Sequence, residues 1–487
     1  DHISGDPRRA PARTAAMRLS NASVTKLAVA SGAAGIVIGA VLVGAVATQR
    51  LRHRAELADC RGAAASELDP AAAAVHYRYS TAASADSTAE TASTIAALEA
   101  RLKDMPSSPF DYAELADLYF RRAQLDGDPE GFKTAEAMAR RSLALLPTPN
   151  PAVMTLAKLA DIRHDFRDAI ELAQQHQGRS SGAKIIIATA HLALGELAAA
   201  GEAAQAALAI KPDTGGYLMR ALVMQAQGRD VEAAYDFANA VRVEEPGDLQ
   251  GAARLRALWG RFLLRRGELP GAALVLDEAL RVVPGFALAT AFRGELALRT
   301  GHAADAAKLF EQAFIASRQV RYLIDQARAY ELAGNAAAAD ALRSQVETIV
   351  RGELGEGGLG HRLDLAEVLI DRGRHAELAE AVGLAREEVA RRGSFEARFQ
   401  LARGLARAGA RDEALHQVQT ALASGAHEAQ LYELAARLET QRGNAAGAAM
   451  YSRLADRFDP GARREAAPLQ LGAGASGWRG LGLGLVR

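Results

Sequence analysis

A single cysteine, Cys60, stands in 487 residues. That excludes a disulfide within the chain and a zinc site built on thiolates. Aromatic residues make up only 5% of the chain, so large rings do not supply its core. Abundant alanine points instead to helices packed at short distance with thin side chains between them. Charge of one sign is missing too: 58 Lys and Arg are balanced by 58 Asp and Glu. No global field therefore recruits nucleic acid or acidic substrates, and the mixed local blocks offer no basic groove for a phosphate backbone.

Residue patterns that carry chemistry are absent as well. Two GxGxxG strings occur, Gly355–Gly357–Gly360 and Gly472–Gly474–Gly477. Cradling a phosphate requires a strand before such a loop and a helix after it. The first string lies between helical patterns and the second lies in a tail. The histidines are scattered, with His361 and His375 fourteen apart, and no pair has the i, i+4 spacing with a glutamate that a zinc-protease helix needs. No serine sits in a nucleophile elbow. The sequence thus indicates no enzyme, no catalytic residue, no metal and no cofactor.

What the chain does have is a repeat. Around Gly267, the segment from Trp259 to Pro284 reads as two short helices: the first stops at a glycine that can turn left-handed, and Pro284 ends the second. Ala272 and Ala279 lie on one face of the second helix, and Gly260, seven residues before the turn, lets the two cross closely. The same spacing recurs at Gly195, Gly228, Gly301, Gly334, Gly373, Gly409 and Gly443, with intervals of 33, 39, 34, 33, 39, 36 and 34 residues. Seven residues before each of the eight glycines stands Ala or Gly: Ala188, Ala221, Gly260, Gly294, Ala327, Ala366, Ala402 and Ala436.

With its second-helix alanines, Phe237 and Phe310 four residues after Ala233 and Ala306, and Tyr330 three after Ala327, the pattern resembles the tetratricopeptide repeat family. The resemblance covers about residues 109–460, including a first copy with a turn enlarged by DGDPEG and a second that lacks the turn glycine. It implies an all-α solenoid of about ten helix pairs that stack into one continuous core. It also implies that the first helix of each pair lines a groove for protein or peptide partners. The outward-pointing candidates there are Arg254, Arg261, Arg265, Glu295, Arg299, Arg321, Asp325, Arg328, Asp364, Glu367, Arg403 and Arg407. Arginine forks suit bidentate capture of carboxylates, so an acidic or C-terminal peptide is an apt ligand. Chaperone-binding members of the family use a lysine-and-asparagine clamp, and no asparagine occupies these faces.

Outside the array, residues 1–26 are polar and basic, and Met17 is a candidate start. Residues 27–49 carry no charge and are long enough to cross a bilayer as one helix of about 20 residues. Ala45 and Ala47 have the small-x-small form of a signal-peptide cleavage site. The long apolar run and the Arg50, Arg52 and Arg54 that follow favour an uncleaved anchor. Five Lys or Arg precede the span and four follow it, which places the array outside the cytoplasm by the positive-inside rule. A start at Met17 reverses that balance and turns the array toward the cytoplasm. Gly35 and Gly39 form a small-xxx-small pair suited to a homodimer. Residues 50–108 read as an Ala/Ser/Thr-rich linker in which Ile95 to Leu102 can already form a short helix, residues 351–360 as a break within the array, and residues 461–487 as a disordered tail. Together these features suggest a membrane-anchored scaffold for secretion, envelope assembly or maturation of a protein complex. The alternative is an accessory subunit that positions one catalytic partner.

Overall fold

The computed structural model of the chain describes residues 75–81, 84–126, 128–176, 180–355 and 361–460. All of them belong to one compact unit, residues 70–487. The basic segment, the apolar span with Gly35 and Gly39, and the tail lie outside the described residues. Among the described residues no helix is long and apolar enough to cross a membrane.

The described residues form 21 helices and no strand. A leading helix, α1 (Ser84–Asp104), precedes ten hairpins. These pair α2 (Pro109–Asp126) with α3 (Pro129–Leu145), α4 (Ala152–Ile162) with α5 (Phe166–Gln175), and α6 (Ser181–Ala193) with α7 (Leu197–Ile210). Next come α8 (Thr214–Ala226) with α9 (Asp230–Arg242), α10 (Leu249–Arg265) with α11 (Leu269–Val282), and α12 (Ala287–Arg299) with α13 (Ala303–Ser317). The last four pair α14 (Val320–Leu332) with α15 (Ala336–Gly355), α16 (Arg362–Arg372) with α17 (His375–Arg391), α18 (Phe395–Arg407) with α19 (Arg411–Ala423), and α20 (Ala429–Gln441) with α21 (Ala445–Phe458).

The hairpin turns are built as the spacing predicts. All eight turn glycines have positive φ, from +64° to +87°, in the left-handed region that stops a helix. At Gly267 the turn closes with its N–H on the Leu264 carbonyl at 2.9 Å and the Glu268 N–H on the Leu263 carbonyl at 3.0 Å. The second hairpin, which has no turn glycine, places His164 there at φ +61°, its ring stacked on Phe166 at 5.3 Å.

The small positions do the packing work expected of them. Ala188, Ala221, Ala366 and Ala402 are fully buried, as are Ala272, Ala279, Phe237 and Phe310. A Cβ on Gly260 would lie 2.6 Å from Leu276 Cγ, and one on Gly294 would lie 2.9 Å from the Phe310 ring. A larger residue at either position would push the two helices of the hairpin apart.

Two expectations about the array's edges are corrected. Within residues 50–108 the short helix at Ile95–Leu102 is longer than expected: α1 occupies Ser84–Asp104 and packs Ile95, Leu98 and Leu102 against Leu115. Residues 75–79 also fold onto the array: Tyr77 is buried among Leu249, Ala252, Ala253 and Val282. Residues 351–355 of the expected break belong to α15, which runs unbroken to Gly355. Residues 356–360 lie outside the described residues.

The later hairpins also lie against the earlier ones. The His427 N–H donates to the Ala226 carbonyl at 2.9 Å, Phe458 packs over Gly228, and Pro460 lies beside Gly267. Arg391 reaches Asp165 at 3.4 Å. The largest apolar cluster accordingly joins Ala157 through Leu296 with Ala366 through Leu438. Loops that connect the last three hairpins therefore rest on the turns of the second to fifth.

Candidate interaction site

Successive first helices present their charged side chains to one another, and that contact makes the site. Arg321 of α14 reaches across to α16, where it donates to Asp364 at 3.1 Å and to the two Glu367 oxygens at 2.7 and 3.1 Å. Its Nε stands 3.5 Å from Asp325, one turn along the same helix. Glu367 also accepts from Gln400 of α18 at 3.0 Å. Arg403, one turn after Phe399 on α18, pairs with Asp371 and lies 4.0 Å from Glu367. Arg407 donates to the Ile370 and Asp371 carbonyls, filling the open end of α16.

The electrostatics follow from burial set against pairing. Burial penalises the Arg321 charge, yet Glu367 and Asp364 outweigh it and hold the guanidinium above its ordinary value. Burial likewise raises Glu367, and Arg321, Arg403 and Arg328 reverse that and hold the carboxyl low. Both partners are therefore charged. At Asp371 burial prevails over Arg403, and its carboxyl is raised.

A second group lies where α10 and α12 meet the C-terminal hairpins. Arg299 makes a bidentate pair with Asp459 at 2.9 and 2.7 Å and donates to the Leu264 carbonyl at 2.7 Å. Glu295 is 3.7 Å away on the preceding turn. Arg265 pairs with Glu428, and Arg261 sits 5.4 Å above the Phe292 ring. Arg254 lines a cavity of about 200 Å³ with Gln124, Gln250, Phe286 and Tyr322.

The structure thus corrects the expected exposure of these charges. None of the twelve candidates is fully exposed. Arg261, Arg265, Glu295, Asp325 and Glu367 are buried, as is the side chain of Arg299, and the remaining six are half-buried. Arg321, Asp325, Asp364, Glu367 and Arg403 come together in one network, with Arg328 adding its field. Arg261, Arg265, Glu295 and Arg299 form another, and Arg407 borders the first through the Asp371 carbonyl. Sequence reasoning missed Asp371 and Gln400, although Asp371 lies four residues after Glu367 on the same helix face. Glu428 and Asp459 carried no local signal, because their partners are 163 and 160 residues away. Among the described residues no group of His, Cys, Asp and Glu has the arrangement of a metal site.

These geometries define a class, an α-solenoid of helix hairpins whose first helices pair their charges with one another. No family model matches the chain, and no curated protein does. Similar solved structures include a tetratricopeptide repeat protein from Parabacteroides merdae, 15% identical with a TM-score of 0.34 over 48% of this chain and 92% of that one. Human IFIT1 solved as a dimer with PPP-AAAA is 14% identical with a TM-score of 0.41, covering 64% of this chain and 72% of that one. The same protein with m7Gppp-AAAA is 13% identical with a TM-score of 0.42, covering 69% and 77%. At these identities and scores the fold assignment rests on this chain's own hairpins.

Proposed function

We propose that the protein is a membrane-anchored interaction scaffold and not an enzyme. Its repeats hold protein or peptide partners together during secretion, envelope assembly or maturation of a complex. The observation that carries this reading is the ordered inner face. Arg254, Arg321, Arg328, Asp364, Arg403 and Arg407 keep part of their surface open, while Arg321, Asp364, Arg403 and Arg407 are held by their own partners. Side chains already held lose little rotamer freedom on binding, and five of these six partly open residues are arginines, whose charge steers and orients an acidic partner. An acidic or C-terminal peptide suits such a face.

The uncharged span 27–49 supplies the anchor. The charge count around it favours an array outside the cytoplasm, and Gly35 and Gly39 suit pairing of two anchors. Crosslinking in intact membranes, followed by identification of the captured proteins, tests the reading. A scaffold captures several partners, and Arg328→Glu weakens their capture. One stoichiometric enzyme would instead make the chain an accessory subunit. Deleting residues 27–47 should release a helical protein from carbonate-washed membranes. Retention there would place the anchor elsewhere.

A further inference from the structure

Residues 75–79, Val-His-Tyr-Arg-Tyr, are held by a part of the chain 164 to 204 residues away. The cleft that holds them is formed by the loop between α9 and α10, by α10 and by α11. Its side chains read the main chain of the segment. Arg256 Nε donates to the Val75 carbonyl at 2.6 Å, Glu278 accepts the Tyr77 N–H at 2.7 Å, and Arg281 donates to the Tyr77 carbonyl at 3.2 Å. Such contacts take any side chain. Selectivity lies in the rings and the flanking charges. The Tyr77 ring is 1% exposed, lies under the Arg256 guanidinium at 5.6 Å, and its hydroxyl accepts the Gly247 N–H at 3.3 Å. Tyr79 packs edge-on against it at 5.5 Å and donates to the Glu244 carbonyl at 2.9 Å. His76 lies 3.2 Å from Glu278, and Arg78 donates to the Arg242 carbonyl at 2.9 Å.

The cleft is set up by the array's own residues. Arg256, completely buried, is fixed by both Glu244 oxygens at 2.5 and 2.9 Å and by the Ala252 carbonyl at 3.0 Å. Arg281 is fixed by Glu278. The groups that read the segment therefore have partners that do not belong to the segment, and a cleft ordered in advance binds without paying to order itself.

We propose that this cleft is a recognition site for a short tyrosine–basic–tyrosine peptide. In this chain residues 75–79 fill it, and the same motif on a partner protein takes it when they leave. The site is separate from the charged inner face and does not depend on that reading. A segment of the same chain competes at the high effective concentration of a tethered ligand, so the site is masked until the segment is weakened.

The test uses the full chain and a fluorescent peptide, AAVHYRYST, that copies residues 73–81. Fluorescence anisotropy should show at least tenfold tighter binding to the Tyr77→Ala chain than to the unaltered one. Adding Glu278→Gln should weaken that binding, and a peptide with alanine for its first tyrosine should not bind. Circular dichroism checks the fold. Should Tyr77→Ala lose helix, His76→Ala/Arg78→Ala, which removes two largely solvent-facing side chains, carries the same comparison. Failure of a folded, segment-weakened chain to bind the peptide any better than the unaltered chain overturns the proposal and leaves residues 75–79 as a fixed strut.

Discussion

Consider the removal of Arg299. Its side chain is 1% exposed and that of Asp459 is 4% exposed, so solvent screens the pair little. The fork joins the sixth hairpin to the last residues of the tenth. Arg299→Ala leaves Asp459 buried without its cation and strips the Leu264 carbonyl of a donor. Breaking a buried pair from one side costs about 3–5 kcal/mol. Asp459→Ala should cost less, about 2–3 kcal/mol on the same scale, because Arg299 keeps the Leu264 carbonyl and has Glu295 at 3.7 Å as a second partner. The double variant should then lose less than the sum, with a coupling of about 1–3 kcal/mol. Repeat arrays can unfold in stages, so urea unfolding should be paired with hydrogen exchange on residues 445–460. Protection of α21 should fall in each single variant. Single effects that add to within about 0.5 kcal/mol, with α21 protection unchanged, would refute the reasoning.

Two other substitutions follow from local geometry. Gly267→Val forces a β-branched residue to φ +74° and should lower stability by about 1–3 kcal/mol. Gly383→Ala, inside α17 with open space where its Cβ goes, should raise it by about 0.5–1 kcal/mol, and thermal melting of both variants checks the pair. Asp161 is buried, and burial raises its carboxyl from 3.8 to about 7. The native state therefore keeps a proton that the unfolded chain releases. The resulting stability is fully present below about pH 4 and is lost as the pH rises through about 7, up to roughly 4 kcal/mol. Asp161→Asn should remove that slope, so that its melting temperature gains on the unaltered chain between pH 5 and pH 8. Equal slopes in the two proteins would mean that Asp161 is charged in the fold.

How far the sequence could be read depended on the range of the interaction. The turn glycines, the small residues seven before them and the buried alanines are local, and each position is imposed by backbone conformation or close helix crossing. Even His164 falls where the missing glycine would stand. The inner-face charges were legible as residues on one helix face, but not as partners. Whether Arg265 meets water or Glu428 depends on how far the stack has turned after several hairpins, and no 34-residue period records that. The residues 75–79 were hidden for a similar reason. Two tyrosines in a short non-helical stretch carry no periodicity, and their cleft is built from α10 and α11, far along the chain.

The central structural claim is that the last hairpins rest on the middle ones. The most direct measurement is a spin-label distance between Thr300→Cys and Asp456→Cys, both at exposed positions, in a Cys60→Ser background. With Arg299 and Asp459 in contact, the account predicts one short, narrow distance that broadens in Arg299→Ala. An open stack would separate the sixth and tenth hairpins by four steps of two helices, each helix about 8–10 Å from the next. A distance on the order of 40 Å or more, unaffected by Arg299→Ala, would contradict the account.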